Sequence, residues 1–119
     1  MKFSQYQINC LITGVQLSAE IQSSSPELRH FVTIKGYNKS HRLDKILNSE
    51  KIENIFFCIR DYEVESYLIE NDFDIHENDL INSFYVKDIV GISNAEKELI
   101  KHIPDFSVLV SNWKCSNPL

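Results

Sequence analysis

The chain has 119 residues, of which 43% are hydrophobic and 11% aromatic, a composition typical of one folded domain and not of a disordered chain. Its formal net charge of −5 disfavours general affinity for nucleic acid or anionic lipid and favours attraction to a basic partner. The longest apolar runs are too short to cross a bilayer and the first residues do not resemble a secretory leader, so we expect a cytoplasmic protein.

The N-terminal part of the chain alternates between apolar and polar residues on both sides of Thr13-Gly14. Period-two alternation is typical of strands, so it predicts a hairpin that turns at Thr13-Gly14 or one long strand with a glycine bulge. A helix from Ser4 onward is the competing interpretation. The apolar positions are Tyr6, Ile8, Cys10, Ile12, Val15, Leu17, Ala19 and Ile21.

The next segment is predicted to contain a turn, a strand and a short helix. Ser23-Ser24-Ser25-Pro26 is a turn sequence, and the following strand covers residues 28–36. Ser40 caps a helix in this prediction, with Leu43, Ile46 and Leu47 on one face.

Residues 28–43 contain no acid and carry four basic residues with aromatic residues between them. Such a strip is able to bind nucleic acid, although a solvated strand edge gives the same pattern more often. The basic residues are Arg29, Lys35, Lys39 and Arg42.

The middle of the chain predicts a buried strand followed by an acidic helix. Residues 55–59 are apolar on both faces, as a central strand requires. Asp61 then serves as the N-cap of a helix over residues 62–71, which turns Val64, Tyr67 and Leu68 toward the sheet. Residues 73–82 show no clear period and predict a loop.

The last third predicts a strand, a helix and a strand. The strands cover residues 84–92 and 106–112. Ser93 and Glu96 match a capping box, which opens a helix with Ala95, Leu99 and Ile103 inward. Pro104 ends that helix.

These elements predict a single α+β domain over residues 1–119 with a loose C-terminal tail. We expect a mixed β-sheet of about five to six strands with about three helices in a single layer. In this arrangement strands 53–60, 84–92 and 106–112 lie in one sheet and are joined by right-handed crossovers.

Charge is distributed unevenly along the chain. Residues 61–86 hold eight of the 17 acidic residues and no lysine or arginine, so their formal charge is −8. On the predicted helix two acidic rails flank Tyr62, Ser66 and Ile69, an arrangement that resembles a binding hot spot. The predicted partner-binding residues are Asp61, Tyr62, Glu63, Glu65, Ser66, Ile69, Glu70, Asp72, Asp74, Glu77 and Asp79.

No motif in the sequence indicates catalysis. The acids and His76 between Asp72 and Asp79 could hold a divalent cation, but the glycine that an EF-hand loop needs is missing. No Glu-x-Lys tripeptide, HExxH spacing or phosphate-binding loop occurs. Cys10, Cys58 and Cys115 include no CxxC pair. We therefore predict a non-enzyme with no cofactor and no metal.

The acidic stretch DYEVESYLIENDFDIHEND on a small acidic domain resembles the immunity proteins of bacterial toxin–immunity pairs, including those of contact-dependent growth inhibition. The resemblance implies a stoichiometric inhibitor that binds a cognate basic toxin, such as a nuclease, in the cytoplasm. Phage-encoded nuclease inhibitors share this profile.

Two alternatives remain open. One is a small nucleic-acid-processing enzyme or binding module that uses residues 29–42 and a metal held by the acids at 72–79. The other is a solvated acidic face without a partner.

Overall fold

The computed structural model describes residues 2–37 and 55–112, which form an α+β fold with a five-stranded sheet and three helices. The predicted α+β class is therefore confirmed. The helices are α1 (Gln5–Ile12), α2 (Ser66–Glu70) and α3 (Ile92–Leu99). The strands are β1 (Leu17–Ile21), β2 (Leu28–Tyr37), β3 (Phe56–Glu65), β4 (Ile81–Val90) and β5 (Val110–Ser111). The helix predicted after Ser40 and the C-terminal tail lie outside the described residues.

The sheet has the strand order β4-β3-β2-β1-β5, and each of these pairings is antiparallel. Strands β3, β4 and β5 lie in one sheet as predicted, but the mixed pairing and the crossover between β3 and β4 are wrong. A crossover needs a helix that runs back along the sheet, but α2 has only five residues and packs beside the end of β3. The chain therefore returns directly, and β4 pairs with β3.

The first element is a helix and not the predicted strand. Ser4 caps α1 through a capping box: its hydroxyl accepts the Gln7 backbone N–H at 3.2 Å, and the Gln7 side chain accepts the Ser4 N–H at 3.0 Å. Gly14 ends α1 with a positive φ of 81°, while the Val15 N–H reaches the Cys10 carbonyl at 2.9 Å. Gly14 is thus a helix C-terminal residue, not a hairpin turn or a bulge.

Two predictions near the C-terminus also change. The N-cap of α3 is Gly91 and not the predicted Ser93. The residues Ala95, Leu99 and Ile103 are buried as predicted. Residues 106–108 form a 3₁₀ turn capped by Asp105, and only Val110 and Ser111 form β5, beside Leu17 and Ser18.

The main core lies between one face of the sheet and helices α1 and α3. Leu11 and Leu99 pack there with Val32, Ile34 and Ile59. A smaller cluster of Phe31, Tyr62 and Val64 lies on the other face, because successive strand residues point to opposite sides. Helix α2 covers this second cluster through Leu68, so the helices lie on both faces where a single layer was expected.

Strand β4 contains two β-bulges where it pairs with β3. Asn82 and Asp88 lie at these bulges with positive φ values of 52° and 60°. The Tyr37 hydroxyl braces the second bulge, since it donates to Asp88 Oδ1 at 2.5 Å and accepts the Asp88 N–H at 2.8 Å.

Among the described residues, no helix is both long enough and apolar enough to span a membrane.

Candidate binding surface

The predicted acidic helix is divided between two elements. Strand β3 continues through Glu65, so Asp61, Tyr62 and Glu63 are strand residues and Asp61 is not a helix cap. Their pairing explains the difference: Tyr62 lies opposite Phe31, and Glu63 opposite His30, on β2. Tyrosine and valine at positions 62 and 64 suit a pleated surface, and the long-range ladder prevails over the N-cap signal of Asp61.

Asp61 joins three elements through two histidines. One carboxylate oxygen contacts His30 Nε2 on β2, and the other lies 2.7 Å from His102 Nδ1, after α3. Only 17% of the Asp61 side chain is exposed, so it holds α3 against the sheet and is not available to a partner.

Glu63 is also a structural carboxylate. It is 4% exposed and accepts the Ser24 N–H at 2.7 Å, the Ser24 hydroxyl at 2.8 Å and the Asn82 side-chain amide at 2.8 Å. Burial raises the pKa of Glu63, but these hydrogen bonds outweigh it and hold the pKa below its usual value. Glu63 therefore fastens the β1–β2 turn and the start of β4 to β3.

Tyr62 and Ile69 do not form the predicted exposed hot spot. Tyr62 is fully buried, with its ring centroid 5.8 Å from that of Phe31. Ile69 is partly buried against the same cluster, and the Ser66 N–H donates to the Glu27 carbonyl at 2.9 Å. All three residues support the fold.

The exposed aromatic residues of this region are Tyr67 and Phe73. Tyr67 is 58% exposed and Phe73 is 50% exposed, and their ring centroids are 5.5 Å apart. The sequence prediction turned Tyr67 inward because it began the helix four residues too early. In the sequence, Phe73 stands between Asp72 and Asp74. An aromatic residue between two carboxylates was the signal that could have indicated an exposed ring.

The end of α2 explains why these two rings meet. Asp72 has a positive φ of 55°, and the Phe73 N–H donates to the Leu68 carbonyl at 3.0 Å, while the Asp72 N–H donates to that of Ile69 at 3.2 Å. These two bonds form a Schellman motif, which turns the chain back over the helix. Phe73 is thereby brought against Tyr67.

Several carboxylates around the two rings are exposed and, within the described residues, take part in no ion pair. We call the rings and these carboxylates the acidic-aromatic surface; it consists of Glu65, Tyr67, Glu70, Asp72, Phe73 and Asp74. The other two predicted acids are engaged. Glu77 pairs with Arg60 at 2.8 Å, and the Asp79 side chain accepts the His76 N–H at 2.8 Å.

A cleft of about 440 Å³ adjoins this surface. Its walls include Glu27 from the turn before β2, Glu65 from the end of β3, and Tyr67. Because both carboxylates and the tyrosine border one cavity, a cationic side chain that entered this cleft would meet two negative charges and an aromatic ring.

The basic strip of β2 is only partly available. Arg29 makes two hydrogen bonds to the Glu20 carboxylate, at 2.6 and 2.7 Å, and its guanidinium lies 5.3 Å from the centre of the Phe31 ring. Lys35 is exposed on the same strand. Lys39 and Arg42 lie outside the described residues.

In residues 2–37 and 55–112, no group of three histidine, cysteine, aspartate or glutamate side chains is placed to hold a metal ion. No protein family, curated protein or solved structure matches this chain.

Proposed function

We propose that the protein is a stoichiometric inhibitor of the immunity-protein kind, which binds a basic toxin with nuclease activity in the cytoplasm. The observation that supports this proposal is the acidic-aromatic surface: two exposed rings that lie against each other, surrounded by carboxylates that have no described cationic partner. A nuclease needs a positively charged cleft for its substrate, and a surface of this kind is complementary to such a cleft.

The carboxylates chiefly accelerate association and select the partner. Glu65, Glu70 and Asp74 are exposed, so each ion pair they form with a partner contributes about 0.2–1 kcal/mol while it stays solvated. Their common sign gives a larger effect on the encounter rate, which falls as salt screens the attraction.

The rings supply the contact area that slows dissociation. Tyr67 and Phe73 already lie against each other in the free protein, so little side-chain freedom is lost when a partner covers them. Exposed aromatic residues in the centre of an interface, with charged residues at its rim, are typical of hot spots.

The first experiment sequences the neighbouring genes, purifies a basic protein found there as a variant without nuclease activity, and measures its binding to this protein. We expect a one-to-one complex by calorimetry. The triple variant Glu65→Gln, Glu70→Gln, Asp74→Asn should weaken binding by about tenfold to a hundredfold and flatten its salt dependence, because three attractive charges are removed.

A matched control places the same change in net charge on the helix side of the sheet. Ser93→Lys, Ile100→Lys and Ser107→Lys together add three positive charges at exposed positions near α3 and the following turn. This control should bind within about threefold of the wild type. An equal loss of binding affinity in the two triple variants would show that net charge alone matters and not the acidic-aromatic surface. A partner that binds both variants as tightly as the wild type would also overturn the proposal.

The second experiment tests the rings. The double variant Tyr67→Ala, Phe73→Ala should cost at least about 2 kcal/mol of binding, mainly through faster dissociation. Unchanged affinity in this variant would exclude the acidic-aromatic surface as the centre of the interface.

A further inference from the structure

A second cavity, of about 170 Å³, lies on the sheet face opposite α1 and α3. Two of its lining residues are cations on neighbouring strands, Lys35 on β2 and Arg60 on β3. The protein as a whole has a net charge of −5, so this cavity is a local reversal of sign. We call it the basic cleft; its lining residues are Gln16, Thr33, Lys35, Cys58, Arg60 and Tyr85.

The register of the sheet brings these side chains together. Thr33 lies opposite Arg60, and Arg60 opposite Tyr85, so one row crosses three strands. Lys35 lies opposite Cys58 in the adjacent row. Directly opposed residues on one face have Cβ atoms about 4.5–5.5 Å apart, and diagonal neighbours remain within reach of long side chains. The two cations are therefore able to approach one bound group from two strands.

Cys58 and Tyr85 carry no negative charge that would neutralise the two cations of the basic cleft. Burial raises the pKa of the Cys58 thiol, while the nearby Lys35 and Arg60 lower it. Burial has the larger effect, so the pKa is raised overall and the thiol stays protonated near neutral pH. Burial likewise raises the pKa of the Tyr85 hydroxyl. Both groups therefore remain uncharged.

The anionic side chain nearest to Arg60 is Glu77, which lies 2.8 Å from a guanidinium nitrogen. The Glu77 side chain is 69% exposed, so this ion pair is weak. The guanidinium has further N–H donors, and it lies 5.3 Å from the centre of the Tyr85 ring. Lys35 takes part in no ion pair with a described residue.

We propose that the basic cleft binds a phosphate group, held by Lys35 and Arg60 with the Thr33 hydroxyl as a further donor. A tetrahedral dianion satisfies two cations that approach from different strands, and arginine binds phosphate oxygens in pairs. The cavity of about 170 Å³ is large enough to admit one phosphate group. This ligand is negative, so the proposal is independent of the basic partner proposed above.

The test is titration of the full chain with inorganic phosphate at constant ionic strength, followed by two-dimensional amide NMR. Saturable shifts are expected at Thr33, Lys35, Arg60 and Tyr85. Chloride added to the same ionic strength should not produce them. A parallel titration with glycerol 3-phosphate separates the two sources of the group: tighter binding of the ester indicates a phosphorylated small molecule, and equal binding indicates the free anion.

Three variants test the assignment. Lys35→Gln should weaken phosphate binding about fivefold or more, because an attractive charge is lost from the cleft. Glu77→Gln should tighten binding about twofold to fivefold, since Arg60 loses a competing carboxylate. Lys97→Gln, at an exposed position of α3, is the control and should leave binding unchanged. Lys35 and Glu77 are exposed, so these variants are expected to fold, and melting temperatures check this.

No saturable shift with either probe, or the same affinity in the Lys35 and Lys97 variants, would overturn the basic cleft as a phosphate site. The opposite sign expected for Glu77→Gln is the sharpest criterion, because damage to the fold does not tighten binding.

Discussion

Replacing Tyr62 with alanine should destabilise the protein strongly. The Tyr62 side chain is fully buried, packs 5.8 Å from Phe31 between ring centroids, and belongs to a cluster with only three fully buried members. Removal of a buried aromatic ring costs about 3–5 kcal/mol, which combines lost transfer free energy with the cavity left behind. Because domains of this size have a total stability of about 5–15 kcal/mol, the variant should approach the limit of folding.

The assay is urea unfolding followed by circular dichroism, with thermal melting as a second measurement. We expect the urea midpoint to fall with an unchanged m-value, and the melting temperature to fall by about 10–25 °C. Tyr67→Ala is the matched control, since it removes the same atoms from a side chain that is 58% exposed. It loses only the contact with Phe73 and should cost about 0.5–1.5 kcal/mol.

The reasoning would be refuted if Tyr62→Ala stayed within about 1 kcal/mol of the wild type, or if the two variants lost equal stability. Either result would mean that the Phe31–Tyr62–Val64 cluster does not support the second face of the sheet. A loss of stability as large as expected would also show that Tyr62 is a core residue and not the interface anchor that its place between the two acidic rails of the predicted helix indicated.

Two further predictions concern Glu63 and Gly36. Because the folded pKa of Glu63 is lowered, its stabilisation is present above the unfolded pKa of about 4.3 and is lost as pH falls through the folded pKa. Glu63→Gln should therefore lower the free energy of unfolding by about 1–3 kcal/mol at pH 7. In urea titrations the difference in this free energy from the wild type should shrink below about pH 4.5. A difference that does not depend on pH would contradict this prediction. Gly36→Ala should destabilise by about 1–3 kcal/mol, because a Cβ there would lie 2.6 Å from the Leu11 carbonyl oxygen. An unchanged melting temperature for Gly36→Ala would show that α1 is able to move away from β2.

The sequence correctly predicted elements whose periodicity is local, but the prediction failed where a local cap competes with that periodicity and where a distant contact decides the structure. Strand β1 and the inward face of Ala95, Leu99 and Ile103 follow directly from periodicity. In contrast, the apolar residues of α1 alternate like those of a strand, but the local capping box of Ser4 and Gln7 begins a helix. The extension of β3 to Glu65 depends on pairing with β2, which local sequence does not reveal.

In the candidate site, too, the sequence revealed local features but not the contacts between distant residues. The concentration of negative charge was visible in the sequence, and Glu65, Glu70, Asp72 and Asp74 are exposed as expected. The engagement of Asp61 by His30 and His102, and of Glu63 by Ser24 and Asn82, depends on residues 19 to 41 positions away. Spacing along the chain therefore identified the acidic region but not which of its carboxylates are free to meet a partner.

The two bulges of β4 affect how the protein is able to meet other chains. This strand is the outermost one on its side of the described sheet, so its outward N–H and C=O groups could template the addition of a further strand. The left-handed backbone conformations of Asn82 and Asp88 interrupt the regular row of N–H and C=O groups that such addition requires. Fibril-like stacking and dimers formed through a continuous sheet are thereby discouraged, and recognition is left to side chains instead of the backbone.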